Sequence, residues 1–167
     1  GCWTTLDLHG LTDMAVKNLK DFQPDKPIFI SEFWAGESMK WGVEHDVRPD
    51  DLVVDLYKEA LQKGAYVNFY MFCGGTNFGF TNGANELRQS TSFDDETVIY
   101  APFVTSYDTS APVNEYGCPT TKYFKLKKVL KDYLDSKGIP FTGTNDFTFK
   151  DEKNLQIFSR EVLKMIS

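Results

Sequence analysis

Histidine and cysteine are both scarce in this chain. Two histidines, His9 and His45, and three cysteines, Cys2, Cys73 and Cys118, are spread over 167 residues. There is no H-x-x-x-H and no C-x-x-C, so the spacing argues against a zinc site. An odd, scattered set of cysteines does not build a disulfide framework either, and leans instead towards a reducing, cytoplasmic interior. Each histidine reads as a surface or hydrogen-bonding residue. No apolar run reaches membrane-spanning length. No signal peptide and no initiator Met are visible; the chain opens directly into strand-like residues, so the missing leader decides nothing about compartment. Positive charge is the minority, with 18 Lys and Arg against 24 Asp and Glu and a net charge of -6. That weighs against nucleic acid and anionic membrane as partners.

Aromatic side chains are plentiful: 14 Phe, 8 Tyr and 3 Trp. Most of these rings are expected in a core of ordinary domain size, although such a composition also suits a surface on which sugars stack. The pattern along the chain predicts three strand–helix units. A strand over 2–8 is followed by a helix over 12–22, with Ala15, Leu19 and Phe22 on one face and Pro24 and Pro27 stopping it. A second strand over 28–33 alternates, with Ile28, Ile30, Glu32 and Trp34 on one side and Phe29, Ser31 and Phe33 on the other. A polar loop carrying Trp41 leads to a helix from Pro49, whose first turn holds Asp50 and Asp51 and whose end is marked by Gly64. A third strand over 65–72 turns Val67, Phe69 and Met71 towards helices, and Tyr66, Asn68, Tyr70 and Phe72 the other way. A long loop over 73–118 is expected to be functional or to carry small elements of its own. A final helix over 119–137 turns Tyr123, Leu126, Leu130 and Tyr133 inward and keeps Lys122, Lys125 and Lys128 on a solvated face.

Three such units in a row imply a parallel sheet with right-handed crossovers. Three strands cannot close a barrel. The chain is therefore expected to be α/β, the C-terminal portion of a (β/α)8 TIM barrel, about strands 6–8 with their helices. Residues 1–138 would belong to the barrel, and 139–167 to a linker and the start of a following segment. The alternative is a small free-standing α/β domain. In a barrel, reacting groups stand at the C-terminal strand ends, which is where Glu32 lies among aromatics. It is either a catalytic carboxylate or a capped or salt-bridged one. Asn68 and Tyr70, on the adjacent strand, can hydrogen-bond a ligand hydroxyl or that carboxylate; otherwise they simply fill the lumen. The run 74–79, G-G-T-N-F-G, lacks the G-x-x-x-x-G-K-[ST] spacing of a phosphate loop. Its glycines suit sharp turning and close backbone approach to a ligand.

Four segments carry a more specific signal. They are S-E-F-W at 31–34, V-N-F-Y-M-F-C-G-G-T-N-F-G at 67–79, N-G-A-N at 82–85, and T-S-Y-D-T-S-A-P-V-N-E-Y-G at 105–117, followed by P-T-T-K-Y-F at 119–124. In this order they resemble glycoside hydrolase family 35, the β-galactosidases, and the resemblance covers nearly all of 3–134. It implies a retaining exo-β-galactosidase acting on terminal β-galactosides, small or oligosaccharide, without metal or other cofactor. It implies Glu32 as nucleophile, Tyr70 beside it touching the sugar or the nucleophile, Tyr107 lining the galactose pocket and Trp34 shaping the site.

The family's Asn-Glu pair at the end of strand four, whose glutamate is the acid/base, is not in this chain. The remainder of the barrel, N-terminal to it, would supply that acid, and the isolated fragment would be inactive. Glu37 stands where the family often has Trp, and Thr109 and Ser110 where it often has a second Tyr-Asp. A related exo-β-glycosidase such as a glucosaminidase, or a non-catalytic sugar-binding domain, remains the alternative reading.

Overall fold

The computed structural model describes residues 3–36, 38–44, 47–79, 81–92, 95–108 and 110–142. Cys2, Glu37, His45 and Thr109, and the tail expected as a linker beyond 142, lie outside them. Strand β1 (Leu6–Leu8), helix α1 (Asp13–Phe22), β2 (Phe29–Trp34), α2 (Asp50–Gln62) and β3 (Tyr66–Tyr70) succeed one another. The three strands pair in parallel in the order β1-β2-β3. Helix α3 (Thr121–Ser136) closes the described chain after an excursion of four further strands. Among the described residues the result is a mixed α/β unit with no closed barrel.

Local chemistry sets the helix ends. Thr12 caps α1, its Oγ1 accepting from the Ala15 amide at 3.2 Å, a contact worth about 1 kcal/mol. Thr120 caps α3 in the same way through the Tyr123 amide. Gly64, just past α2, has φ 75°, a left-handed conformation in which a Cβ would be strained.

The core lies between sheet and helices. Ile28, Ile30, Phe33 and Ala35 from β2 and its end meet Val53, Tyr57, Ala60 and Leu61 from α2, Leu19 from α1 and Leu126 from α3. Phe33 sits edge-on to both Tyr57 and Phe69, at ring-centre distances of 6.2 and 5.2 Å.

Four expectations are corrected here. The first strand is shorter, beginning at Leu6. Phe22 is not in the inward stripe of α1; it is 74% exposed. Gln23 takes that place and clasps the backbone of Thr4, donating to its carbonyl at 2.8 Å and accepting from its amide at 3.0 Å.

The simple alternation along β2 also fails, because the strand carries a bulge. Leu6 and Asp7 pair with Ile30 and Glu32, and Val67 and Phe69 with Ile30 and Phe33. β2 thus has one residue more than either neighbour between Ile30 and Phe33, which turns both towards the helices and sends Glu32 and Trp34 to the opposite side.

Finally, Lys122 does not belong to the solvated face of α3. It is 2% exposed, one turn before Leu126, and donates to the carbonyls of Ala35 and Ser110 at 2.9 and 2.8 Å. Burial pulls its ammonium below the ordinary lysine value, opposed by the Asp50 carboxylate 3.9 Å away. Lys125 and Lys128 do face outward, paired with Asp51 and Asp132.

The long segment after β3 carries small elements, as its length suggested. β4 (Gly75–Thr76) pairs antiparallel with β7 (Ser106–Tyr107), and β5 (Ala84–Ser92) with β6 (Asp95–Pro102). The loop after β2 is pinned to the end of β6, the Trp41 amide donating to Pro102 at 2.9 Å and the Val104 amide to Met39 at 3.2 Å.

Candidate functional site

The bulge in β2 organises the site. Glu32 and Trp34 are two residues apart, emerge on the side away from the helices, and bond directly: the indole N–H donates to Glu32 Oε2 at 3.0 Å. Trp34 lies in register with Tyr70 on β3, so both project from the same face of the sheet. The Tyr70 hydroxyl is 2.8 Å from the hydroxyl of Tyr107, which the β4–β7 ribbon delivers from the long segment. Burial first, then the hydrogen bond with Tyr70 and the charge of Glu32, push Tyr107 up to about 12 from 10.0. Four of the five expected residues therefore form two hydrogen-bonded pairs, Glu32–Trp34 and Tyr70–Tyr107, on one face of the sheet. The fifth, Asn68, is on the same side of β3, but its amide donates to the Ser31 carbonyl at 2.9 Å and so ties β3 to the bulge.

Residues that sequence reasoning missed or undervalued support this group. His9, just past β1, meets the Trp34 ring edge-on at 4.6 Å. Arg48, ahead of α2, reaches the Trp34 carbonyl at 3.4 Å and the His9 ring nitrogen at 3.2 Å. Nothing in a lone arginine at the end of a polar loop marks it for that position.

On the other flank, Glu115 accepts from Thr76 Oγ1 and from Ser106 Oγ, the latter at 2.6 Å, and its amide donates to Asp108 at 2.7 Å. This clasp fixes β4 and β7, and Tyr107 with them. Gly74 permits it. A Cβ there would stand 2.9 Å from Asp108 Cα and 3.0 Å from the Glu115 amide nitrogen. The close approach at this glycine is thus to the chain's own backbone.

Chemically, the group offers a carboxylate held by an indole donor, two phenolic hydroxyls and an aromatic face, with Tyr70 exposed and the others half-buried. Polyol ligands need such donors and acceptors beside apolar ring faces. Among the described residues no three His, Cys, Asp or Glu side chains cluster to hold a metal ion. No helix among them is long and apolar enough to cross a membrane.

The profile of glycosyl hydrolases family 35 matches residues 3–133, which contain every residue of this group. The chain belongs to that family. A mouse protein described as "Beta-galactosidase" is 38% identical over 143 residues, covering 80% of this chain and 20% of the mouse protein. A human "Beta-galactosidase" is 36% identical over 136 residues, 80% of this chain and 18% of its own length. A "Beta-galactosidase" of Xanthomonas manihotis is 37% identical over 121 residues, 72% and 19% respectively. The chain thus spans about a fifth of the length of the curated relatives it matches. Family 35 is a family of glycosyl hydrolases, and membership in it implies a TIM-barrel catalytic domain, of which the described residues would form part.

Proposed function

We propose that this chain is the nucleophile-bearing portion, about strands 6–8, of a retaining exo-β-galactosidase barrel. Glu32 attacks the anomeric carbon of a terminal β-galactoside. An acid from another part of the barrel protonates the glycosidic oxygen. Water then releases the glycosyl-enzyme with that acid acting as base. The two carboxyl groups of such a pair stand ~5–5.5 Å apart, because retention needs the nucleophile in direct reach of the sugar.

The observation that carries the reading is the linked group Glu32–Trp34 and Tyr70–Tyr107 on one face of the sheet, inside a segment that matches family 35. Trp34 orients the nucleophile through its N–H and offers a ring against which a sugar stacks. Tyr107, pushed up to about 12, keeps its proton around neutral pH, and the paired hydroxyls of Tyr70 and Tyr107 donate to sugar hydroxyls or to the carboxylate. Without the acid the leaving group cannot be protonated, so these residues alone would not turn over a galactoside.

The test is Glu32→Gln in the full-length protein, with hydrolysis of an aryl β-galactoside and a thermal melt measured side by side. The expected result is an unchanged melt and a rate lower by orders of magnitude, since no covalent intermediate forms. A variant that keeps most of its rate, or loses rate only by unfolding, makes Glu32 structural.

A further inference from the structure

We propose that Lys122 is a positioning residue for this site: it holds the end of β2 and the backbone at Ser110 in one fixed relation, and so sets where Trp34 and Tyr107 stand relative to each other. The inference rests on the galactosidase reading of the site and names what keeps it in shape.

A lysine at an inward position of a helix is costly. Its neighbour on that face, Leu126, is the residue type packing calls for, whereas a buried ammonium must recover its lost hydration from fixed acceptors. Lys122 finds them on three separate segments. Ala35, whose carbonyl accepts at 2.9 Å, directly follows Trp34. Ser110, whose carbonyl accepts at 2.8 Å, lies three residues after Tyr107. Asp50, with a carboxylate oxygen 3.9 Å away, opens α2. The ammonium thus joins the backbone just past Trp34 to that just past Tyr107.

The backbone on the loop side gives independent support. Ser110 has φ 52°, a left-handed conformation that a serine holds only when its surroundings over-determine it. The next residues are locked as well: the Ala111 amide donates to Asp108 at 3.0 Å, and Ala111 is buried. A satisfied core lysine with no bearing on the site would have no reason to draw its acceptors from the segments that flank Trp34 and Tyr107.

The experiment compares Lys122→Met with Leu126→Ala, one turn further along the same buried face, in the full-length protein. Melting temperatures are measured first. Then kcat and KM on an aryl β-galactoside are taken at a temperature where both variants are folded. Both should lower the melting temperature. Only Lys122→Met should lower kcat, by about 10- to 100-fold, the scale set by displacements of an ångström or less. The double variant Lys122→Met with Tyr107→Phe should lose less than the product of the two single losses, because both act through the same side chain.

Equal kcat for Lys122→Met and Leu126→Ala, or losses that multiply in full, overturns the proposal. Lys122→Gln, which keeps a donor at a shorter reach, serves where Lys122→Met does not fold, and an intermediate kcat is expected of it. If neither folds, Lys122 belongs to the fold alone and the proposal fails. Wild-type protein that hydrolyses no galactoside overturns the underlying reading and the proposal with it. Loss of activity in Glu32→Gln with none in Lys122→Met overturns only the proposal.

Discussion

Adjacent glycines in the run after β3 offer a sharp contrast. An added methyl group at Gly74 would lie 2.9 Å from Asp108 Cα, 3.0 Å from the Glu115 nitrogen and 3.1 Å from the Asp108 carbonyl oxygen. The first of these is about 0.6 Å short of the ~3.5 Å at which two carbons attract. All three atoms are backbone, so no side chain can swing aside. Asp108 follows Tyr107, and Glu115 is the hub that bonds Thr76 and Ser106. Gly74→Ala must therefore push the tip of the β4–β7 ribbon outward, and the Tyr107 hydroxyl with it, away from Tyr70. Overpacking of this kind costs about 1–3 kcal/mol of stability. A shift of roughly half an ångström at the Tyr107 hydroxyl, proposed above to contact the sugar, should lower kcat/KM by about 10-fold.

At Gly75 the same methyl group meets nothing within 4 Å. Gly75→Ala should leave both quantities near wild type. The assay is a thermal melt and aryl β-galactoside kinetics on the two variants in full-length protein. If Gly75→Ala harms as much as Gly74→Ala, or Gly74→Ala is silent, then backbone contact at 108–115 is not what places Tyr107.

Tyr107 should leave a signature at high pH. Its folded value of about 12 lies above the ordinary 10.0, so the folded protein keeps a proton that the unfolded chain has lost. The stability this contributes is complete below pH 10 and is lost as the pH rises through 12. Tyr107→Phe should flatten that part of a curve of urea midpoint against pH, and remove one late-titrating group from the tyrosinate absorbance. An unchanged curve would place Tyr107 in a more open setting. On the helix side, Leu56 packs against Gly10 and the core, and Leu56→Ala should lose about 2 kcal/mol or more by denaturation while the folded fraction keeps its rate. A large fall in kcat there would mean that the helix layer is coupled to the site.

Periodicity was a good guide wherever a residue's environment is decided by its own element. The stripe Val53, Tyr57, Leu61 on α2, the Gly64 stop and the alternation of β3 from Tyr66 to Tyr70 follow from local spacing; past the strand end Phe72, expected beside Tyr70, turns instead to Phe69 and Tyr123 on the helix side. Three features did not. The bulge in β2 depends on pairing with both neighbours, and a single strand read in isolation shows only regular alternation. Lys122 sits in a lysine-rich helix whose other lysines are solvated, and only acceptors distant in sequence, Ala35 and Ser110, explain its burial. Arg48 and His9 join the site through contacts that no motif announces. Of the site, Glu32, Trp34, Tyr70 and Tyr107 were legible through the resemblance of their surrounding segments to a family. Their bonding to one another required the fold.

The extra residue in β2 bears on anyone who would move this site elsewhere. In a regular strand, Glu32 would lie on the same face as Ile30, against the helices, and Phe33 would take its place on the open side. A graft that copies the residues S-E-F-W onto an uninterrupted strand would therefore bury a carboxylate in oil and leave a phenyl ring in water. The transferable unit is the kinked strand, with Asn68 of its neighbour bonded to the Ser31 carbonyl at the kink.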